Sequence, residues 1–190
     1  MRRINVKNMV YASLFLAIGL VLPLFTGQIK EIGDSLLPMH LPVMLCGLIC
    51  GPWYGFAVGL ILPFMRSLIF TMPPLYPQAV WMSVELCTYG LVIGLVFLLL
   101  GRCGIVRIYI SLISAMLLGR ITWGIAKTIL LGLSGKGFTL TAFWVGGFID
   151  ALPGIVLQLI LVPTIATFIF RYRDNKSLSK ILSEYLEETL

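Results

Sequence analysis

In this chain of 190 residues, 59% are hydrophobic and only 12% charged, and the mean hydropathy is +1.01. A soluble domain of this size solvates its surface with roughly 25% charged residues, so a soluble globular fold is excluded. Intrinsic disorder is excluded by the same figures, and a disulfide scaffold by a cysteine count of four. The net charge of +6 is not a nucleic-acid footprint, because most basic residues flank apolar runs on one side. An integral membrane protein remains. Its apolar runs are long and uninterrupted, which predicts helices rather than the alternating segments of an outer-membrane barrel.

In chain order, six spans are expected: Met9–Phe25, Leu36–Cys50, Tyr54–Phe70, Gln78–Leu100, Ile108–Leu133 and Phe143–Phe170. The second is short, and a tilted or partly re-entrant course is expected for it. Polar breaks fall at Gly27–Ser35, Gly51–Trp53, Thr71–Pro77, Gly101–Arg107 and Ser134–Thr141. The third break carries Pro73, Pro74 and Pro77, which cannot continue a helix and predict a stiff loop. No small-x-small cleavage site follows Phe25, so the first run reads as a retained helix rather than a signal peptide. The expected fold class is an all-α integral membrane protein, a bundle of six transmembrane helices.

Six spans put both termini on one side. That side holds Arg2, Arg3, Lys7, Arg102, Arg107, Arg171, Arg173, Lys176 and Lys180, against Lys30 and Lys136 on the other. This asymmetry predicts cytoplasmic N and C termini. Residues 1–173 read as one six-helix transmembrane substrate-binding domain. Residues 174–190 read as a short cytoplasmic amphipathic tail, with Leu178, Ile181, Leu182, Tyr185 and Leu186 at helical spacing. Such a tail either lies on the membrane surface or docks on a partner.

Ionisable residues within the spans are costly and must face a protein interior or a water-filled cavity. They are Arg66, Glu85, Arg120, Lys127 and Asp150, with His40 near the start of the second span. On the topology above, all six lie in the outer half of the membrane or at its midplane. A proton or ion path strings such groups across the full thickness, whereas this arrangement reads as a cup open outward. Arg120 and Lys127, seven apart, share a helix face with Trp123 and Gly124 between them. Gln78, Trp81, Met82, Glu85 and Tyr89 form one stripe. An aromatic-lined pocket with a few charges is the usual make-up of a small-molecule site. The alternative is that Arg66, Arg120 and Lys127 pair with Glu85 and Asp150 only to staple helices.

Gly47, Gly51, Gly55 and Gly59 recur every four residues, and Gly90 and Gly94 repeat the spacing, which predicts close helix approach within the bundle. No P-loop, Gly-x-Ser-x-Gly or Cys-x-x-Cys motif is present. No metal site, catalytic residue or cofactor is expected, and Cys46 and Cys50 suit packing better than metal.

The stretch Leu37–Gly59, reading Leu-Pro-Met-His-Leu-Pro-Val-Met-Leu-Cys-Gly-Leu-Ile-Cys-Gly-Pro-Trp-Tyr-Gly-Phe-Ala-Val-Gly, resembles the second and third helices of S components of energy-coupling factor (ECF) vitamin transporters. Met-Pro-Pro-Leu-Tyr-Pro at 72–77 and Glu-Leu-Cys-Thr-Tyr-Gly at 85–90 are similar to members of the same group. The resemblance implies a membrane-embedded subunit in a prokaryotic plasma membrane that binds a vitamin or precursor from outside. It also implies partners: a transmembrane coupling protein and two ATPases that supply ATP hydrolysis. The family's first helix docks through an Ala-x-x-x-Ala signature. Here Ala12 and Ala17 are five apart, and the nearest matches are Ser13, Ala17 and Val21.

The expected substrate-binding residues are His40, Arg66, Trp81, Glu85, Tyr89, Arg120, Trp123, Lys127 and Asp150. Arg66, Arg120 and Lys127 suit a carboxylate or phosphate, and Trp81, Tyr89, Trp123 and Trp144 suit a ring. Pantothenate comes first among substrates, then a pyrimidine or pyridine vitamin. The competing readings are a stand-alone secondary transporter and a small membrane enzyme using Glu85 and Asp150 as an acid/base pair.

Overall fold

The structure, a computed structural model, describes residues 6–25, 36–101, 104–133 and 139–188, with backbone alone after Tyr172. The described residues form helices joined by short turns, with no strand among them. Helix α1 is Val6–Val21, continued by a 3-10 turn over Leu22–Leu24. Helices α2, His40–Cys50, and α3, Pro52–Phe70, follow. A wide turn over Leu75–Ala79 leads into α4, Val80–Leu99. Helix α5 is Gly104–Leu133, α6 is Leu140–Trp144, and a second wide turn over Val145–Ile149 precedes α7, Leu152–Glu188. The expected breaks at Gly27–Ser35 and Ser134–Thr141 lie wholly or mostly outside the described residues, as do Lys30 and Lys136.

Five helical stretches are long and apolar enough to cross a membrane: Val6–Leu24, Pro52–Phe70, Leu75–Leu99, Gly104–Gly132 and Val145–Tyr172. The predicted second span is shorter than expected. Helix α2 has 11 residues, about 16 Å against a hydrocarbon core of roughly 30 Å. It starts at His40 rather than Leu36. Pro38 disfavours the helical region for the residue before it, and Leu37 adopts a φ of 50°. All residues of α2 except Leu41 and Ile49 are buried, so it is a core helix wrapped by its neighbours.

Gly51 separates α2 from α3 at a φ of 106°, a conformation that side chains rarely adopt, and Pro52 opens α3. At the far end, Thr71 in the left-handed region ends α3, and the proline-rich break follows. The two wide turns share one hydrogen-bond pattern: Ala79 N–H reaches Pro74 O at 3.0 Å, and Asp150 N–H reaches Val145 O at 2.9 Å. Helix α7 has 37 residues, about 55 Å, so its C-terminal part projects beyond any bilayer core.

Helix α4 lies at the centre, packed on α2, α3 and α5. Helix α1 covers α2 and α3, while α7 lies on α2 and α5. The glycine repeat makes the central contact. A Cβ on Gly47 or Gly55 would lie 2.4 or 2.6 Å from the Gly90 carbonyl oxygen, and one on Gly59 would lie 2.4 Å from that of Leu86. Gly51, though in register, meets nothing within 4 Å; its glycine serves the turn. At the end of the bundle near the N-terminus, Asn8 Nδ2 donates to Cys50 O at 3.1 Å. There too Arg107 Nε donates to Phe97 O, and Phe97 stacks on Phe170 at 5.3 Å. Outward positions such as Ile61, Leu68, Ile113, Leu117 and Ile160 are exposed, the inverse of a soluble surface and the pattern of a multi-pass membrane protein.

Candidate functional site

The site grows from α4. Glu85, near its start, is 2% exposed. Its Oε1 lies 3.0 Å from Nη1 of Arg120 and 3.3 Å from Nε2 of His40. The Arg120 contact is a formed hydrogen bond, whereas the His40 nitrogen sits close but off the hydrogen-bond axis. Tyr89 stands one turn along the same face of α4. The His40 and Tyr89 rings meet edge to face at 5.0 Å. His40 is delivered by the first residue of α2 and Arg120 by the middle of α5. Gly119 lets the Tyr89 ring in, since a Cβ there would come within 2.7 Å of it.

Beyond this cluster lies an aromatic and cationic layer. Lys127 Nζ is 4.5 Å from the Trp123 ring and 5.5 Å from that of Trp81, and the Arg120 guanidinium carbon lies 6.0 Å from Trp123. Such contacts contribute roughly 0.5–2 kcal/mol each. Phe143 packs 6.1 Å from Trp123 and presses on Gly124, where a Cβ would lie 2.4 Å from its ring. Gly147 presents its backbone to Trp123. A hollow of about 490 Å³ flanks this layer, lined by Ile121, Gly124, Ile125, Thr128, Thr139 and Phe143. Phe143 belongs to both, lining the hollow and packing on Trp123.

The structure thus brings together seven of the nine expected binding residues: His40, Trp81, Glu85, Tyr89, Arg120, Trp123 and Lys127. It places the other two elsewhere. Arg66 is buried, but its Nη1 donates to Leu20 O at 2.9 Å and its guanidinium covers Phe70. That carbonyl lies at the end of α1, where Pro23 supplies no N–H, so Arg66 ties α1 to α3. Asp150 is exposed in the turn before α7. The expected docking residues Ser13, Ala17 and Val21 are all exposed, opposite the buried Ala12, Phe15 and Gly19. Sequence reasoning missed Phe143 and Gly119 as parts of the site. The pairing of Phe143 with Gly124 leaves no spacing signal, because the two residues lie on separate helices.

Several buried polar atoms here lack a protein partner. They include Nε and Nη2 of Arg120 and Nδ1 of His40, the two residues that flank Glu85. Buried donors are nearly always satisfied in folded proteins, so their concentration around one carboxylate marks a place built to meet something else. No group of three or more His, Cys, Asp or Glu arranged to hold a metal occurs among the described residues.

Fold and site together define a multi-pass helical membrane protein with a buried polar cluster under an aromatic wall. The family model described as ECF transporter, substrate-specific component, matches residues 7–166, and the chain belongs to that family. No curated protein and no solved structure matches it. Membership makes the chain a membrane-embedded, substrate-binding component of a transporter. It also implies association with ECF coupling and ATPase subunits and a small-molecule substrate.

Proposed function

We propose that the chain captures a vitamin or vitamin precursor from outside the cell and holds it at the cluster of His40, Glu85, Tyr89 and Arg120 beneath Trp81, Trp123 and Lys127. The observation that carries this reading is the set of buried, unpartnered polar atoms of Arg120 and His40 around Glu85 inside an apolar bundle. A set of charges that only stapled helices would be satisfied within the protein, because each unmet buried donor costs about 1–3 kcal/mol. Pantothenate stands first among substrates, with a pyrimidine or pyridine vitamin next; both fit a site with a guanidinium and indole faces.

The proposal includes six spans, with α2 as the short second one, and cytoplasmic termini in a prokaryotic plasma membrane. The excess of Lys and Arg at the terminal end supports this orientation. The cluster then lies towards the outside, as a capture site requires. The exposed face of α1 bearing Ser13, Ala17 and Val21 docks on the coupling protein, and two ATPases power release.

The test is native mass spectrometry of the purified chain in mild detergent, followed by incubation with a panel of B vitamins. A stoichiometric small molecule, retained by the wild type and lost in Arg120→Ala, is the expected result. Vesicles holding the chain alone should bind but not accumulate it. Uptake driven by an ion gradient without ATPases would instead establish a stand-alone transporter. Turnover abolished by Glu85→Gln with binding intact would establish an enzyme.

A further inference from the structure

The guanidinium of Arg120 has three hydrogen-bonding edges, and the structure shows how they are divided. Nη1 is given to Glu85 at 3.0 Å. Nε and Nη2 are buried, and neither has a protein partner. These two atoms form the side-on edge of the guanidinium, whose N–H bonds run parallel at the spacing of the two oxygens of a carboxylate. We propose that this edge is the anchor of the site, and that the substrate carries a carboxylate that docks on it through two parallel N–H···O bonds. The inference rests on the reading above that this cluster is the substrate site, and it narrows the ligand to one chemical class.

Two features favour a carboxylate over a neutral acceptor. Arg120 is 3% exposed, so water is a poor substitute partner for the edge. A ligand carbonyl would meet one donor and leave the other bare, whereas a planar oxyanion meets both. Glu85 then acts as a positioning residue. By holding Nη1 it fixes the guanidinium and leaves the Nε and Nη2 edge to the ligand. Trp123, 6.0 Å from the guanidinium carbon, is placed to cover the body of the ligand.

The experiment is isothermal titration of the full chain in detergent micelles with matched pairs: pantothenate and pantothenol, nicotinate and nicotinamide, biotin and its amide. Thiamine, riboflavin and pyridoxal phosphate, which lack a carboxylate, complete the panel. The expected result is that one acid binds and its uncharged counterpart binds roughly 10- to 150-fold more weakly, the range of a charge-assisted hydrogen bond. Arg120→Lys keeps a cation for Glu85 but has no fork. It should lower affinity for the acid by a similar factor, lower that for the neutral counterpart (which meets at most one donor) by much less, and melt near the wild-type temperature without ligand. A carboxylate-free compound that binds more tightly than every acid overturns the proposal while leaving substrate capture intact. So does an acid whose affinity is indifferent to Arg120→Lys. If nothing in the panel binds and nothing copurifies, both the proposal and the capture reading fall.

Discussion

The seam that joins α4 to α2 and α3, and the contact of α5 with the turn before α7, are packed by different means. Towards α2 and α3, backbone meets backbone: a Cβ on Gly90 would lie 2.2 Å from the Gly55 carbonyl oxygen, and one on Gly94 would lie 2.7 Å from Pro52. At Trp123 on α5, the contact with the turn before α7 is ring to backbone at ordinary van der Waals distance. There a Cβ on Gly147 or Gly146 would lie 3.4 or 3.5 Å from Trp123. The first side has no room to yield, and close approach of small residues is what holds helices together where lipid removes the hydrophobic incentive. The second side ends in side chains that can move. The site uses both: Glu85, Tyr89 and His40 stand on the rigid frame, while Arg120, Trp123 and Lys127 come from the wall that can adjust around a ligand.

The largest expected effect breaks the rigid side. Gly90→Val drives two methyl groups into the Gly55 backbone, which cannot rotate away, and overpacking of this kind exceeds the usual 1–3 kcal/mol when backbone is the obstacle. The variant should fail to give a monodisperse peak on size-exclusion chromatography. A Gly90→Val protein that elutes and melts like the wild type would show that the seam is looser than its contacts imply.

Next comes the ion pair that joins the two sides. Glu85→Ala leaves Arg120 buried with its one partner gone, and loss of one member of a buried pair costs about 3–5 kcal/mol. The double variant Glu85→Leu with Arg120→Met should regain much of that stability, because an apolar pair fills the space without desolvated charge. Melting in detergent checks both. If the cluster is a binding site, the double variant recovers stability but not ligand binding; recovery of both would make the charges mere staples.

Arg66 sharpens the contrast further. It lies in α3 with an unusual intramembrane charge, like Arg120, yet it bonds Leu20 O rather than a site acid. Arg66→Met should cost about 1.5–3 kcal/mol of stability, the range for a hydrogen bond to a charged group, and leave ligand affinity unchanged. A fall in affinity without a fall in melting temperature would place Arg66 in the site after all.

The contrast between Arg66 and Arg120 also explains what was legible in the sequence. Lengths of apolar runs and their breaks located the helices to within a few residues, because a membrane core sets the length of a span. Depth follows from position within each run, which puts Glu85, Arg120 and Lys127 in the outer half or at the midplane on the expected topology. Facing did not follow. These helices are apolar on nearly every side, and no amphipathic stripe marks which direction a lone charge points. Hence Arg66 and Asp150 were grouped with residues they do not meet. The Gly51 turn shows the same limit: its spacing matched the packing series, but only its backbone conformation reveals a different reason for the glycine. The shortened α2 has its signal in Pro38, whose effect on Leu37 is local and easily hidden by the apolar run around it.

The smallest effect tests the yielding side. Gly147→Ala adds a methyl group at 3.4 Å from Trp123, close enough to touch and far enough for the ring to give slightly. Alanine also restricts the unfolded chain more than glycine does, a gain of about 0.4–1 kcal/mol where the native backbone tolerates it. The melting temperature should therefore hold or rise slightly, the opposite of Gly90→Val. Affinity is the informative readout. If Trp123 must shift to admit the ligand, the added methyl narrows its range and weakens binding while the protein grows more stable. Unchanged affinity would mean that Trp123 already stands in its bound position, and that whatever adjustment capture needs lies in Phe143 and the hollow behind it.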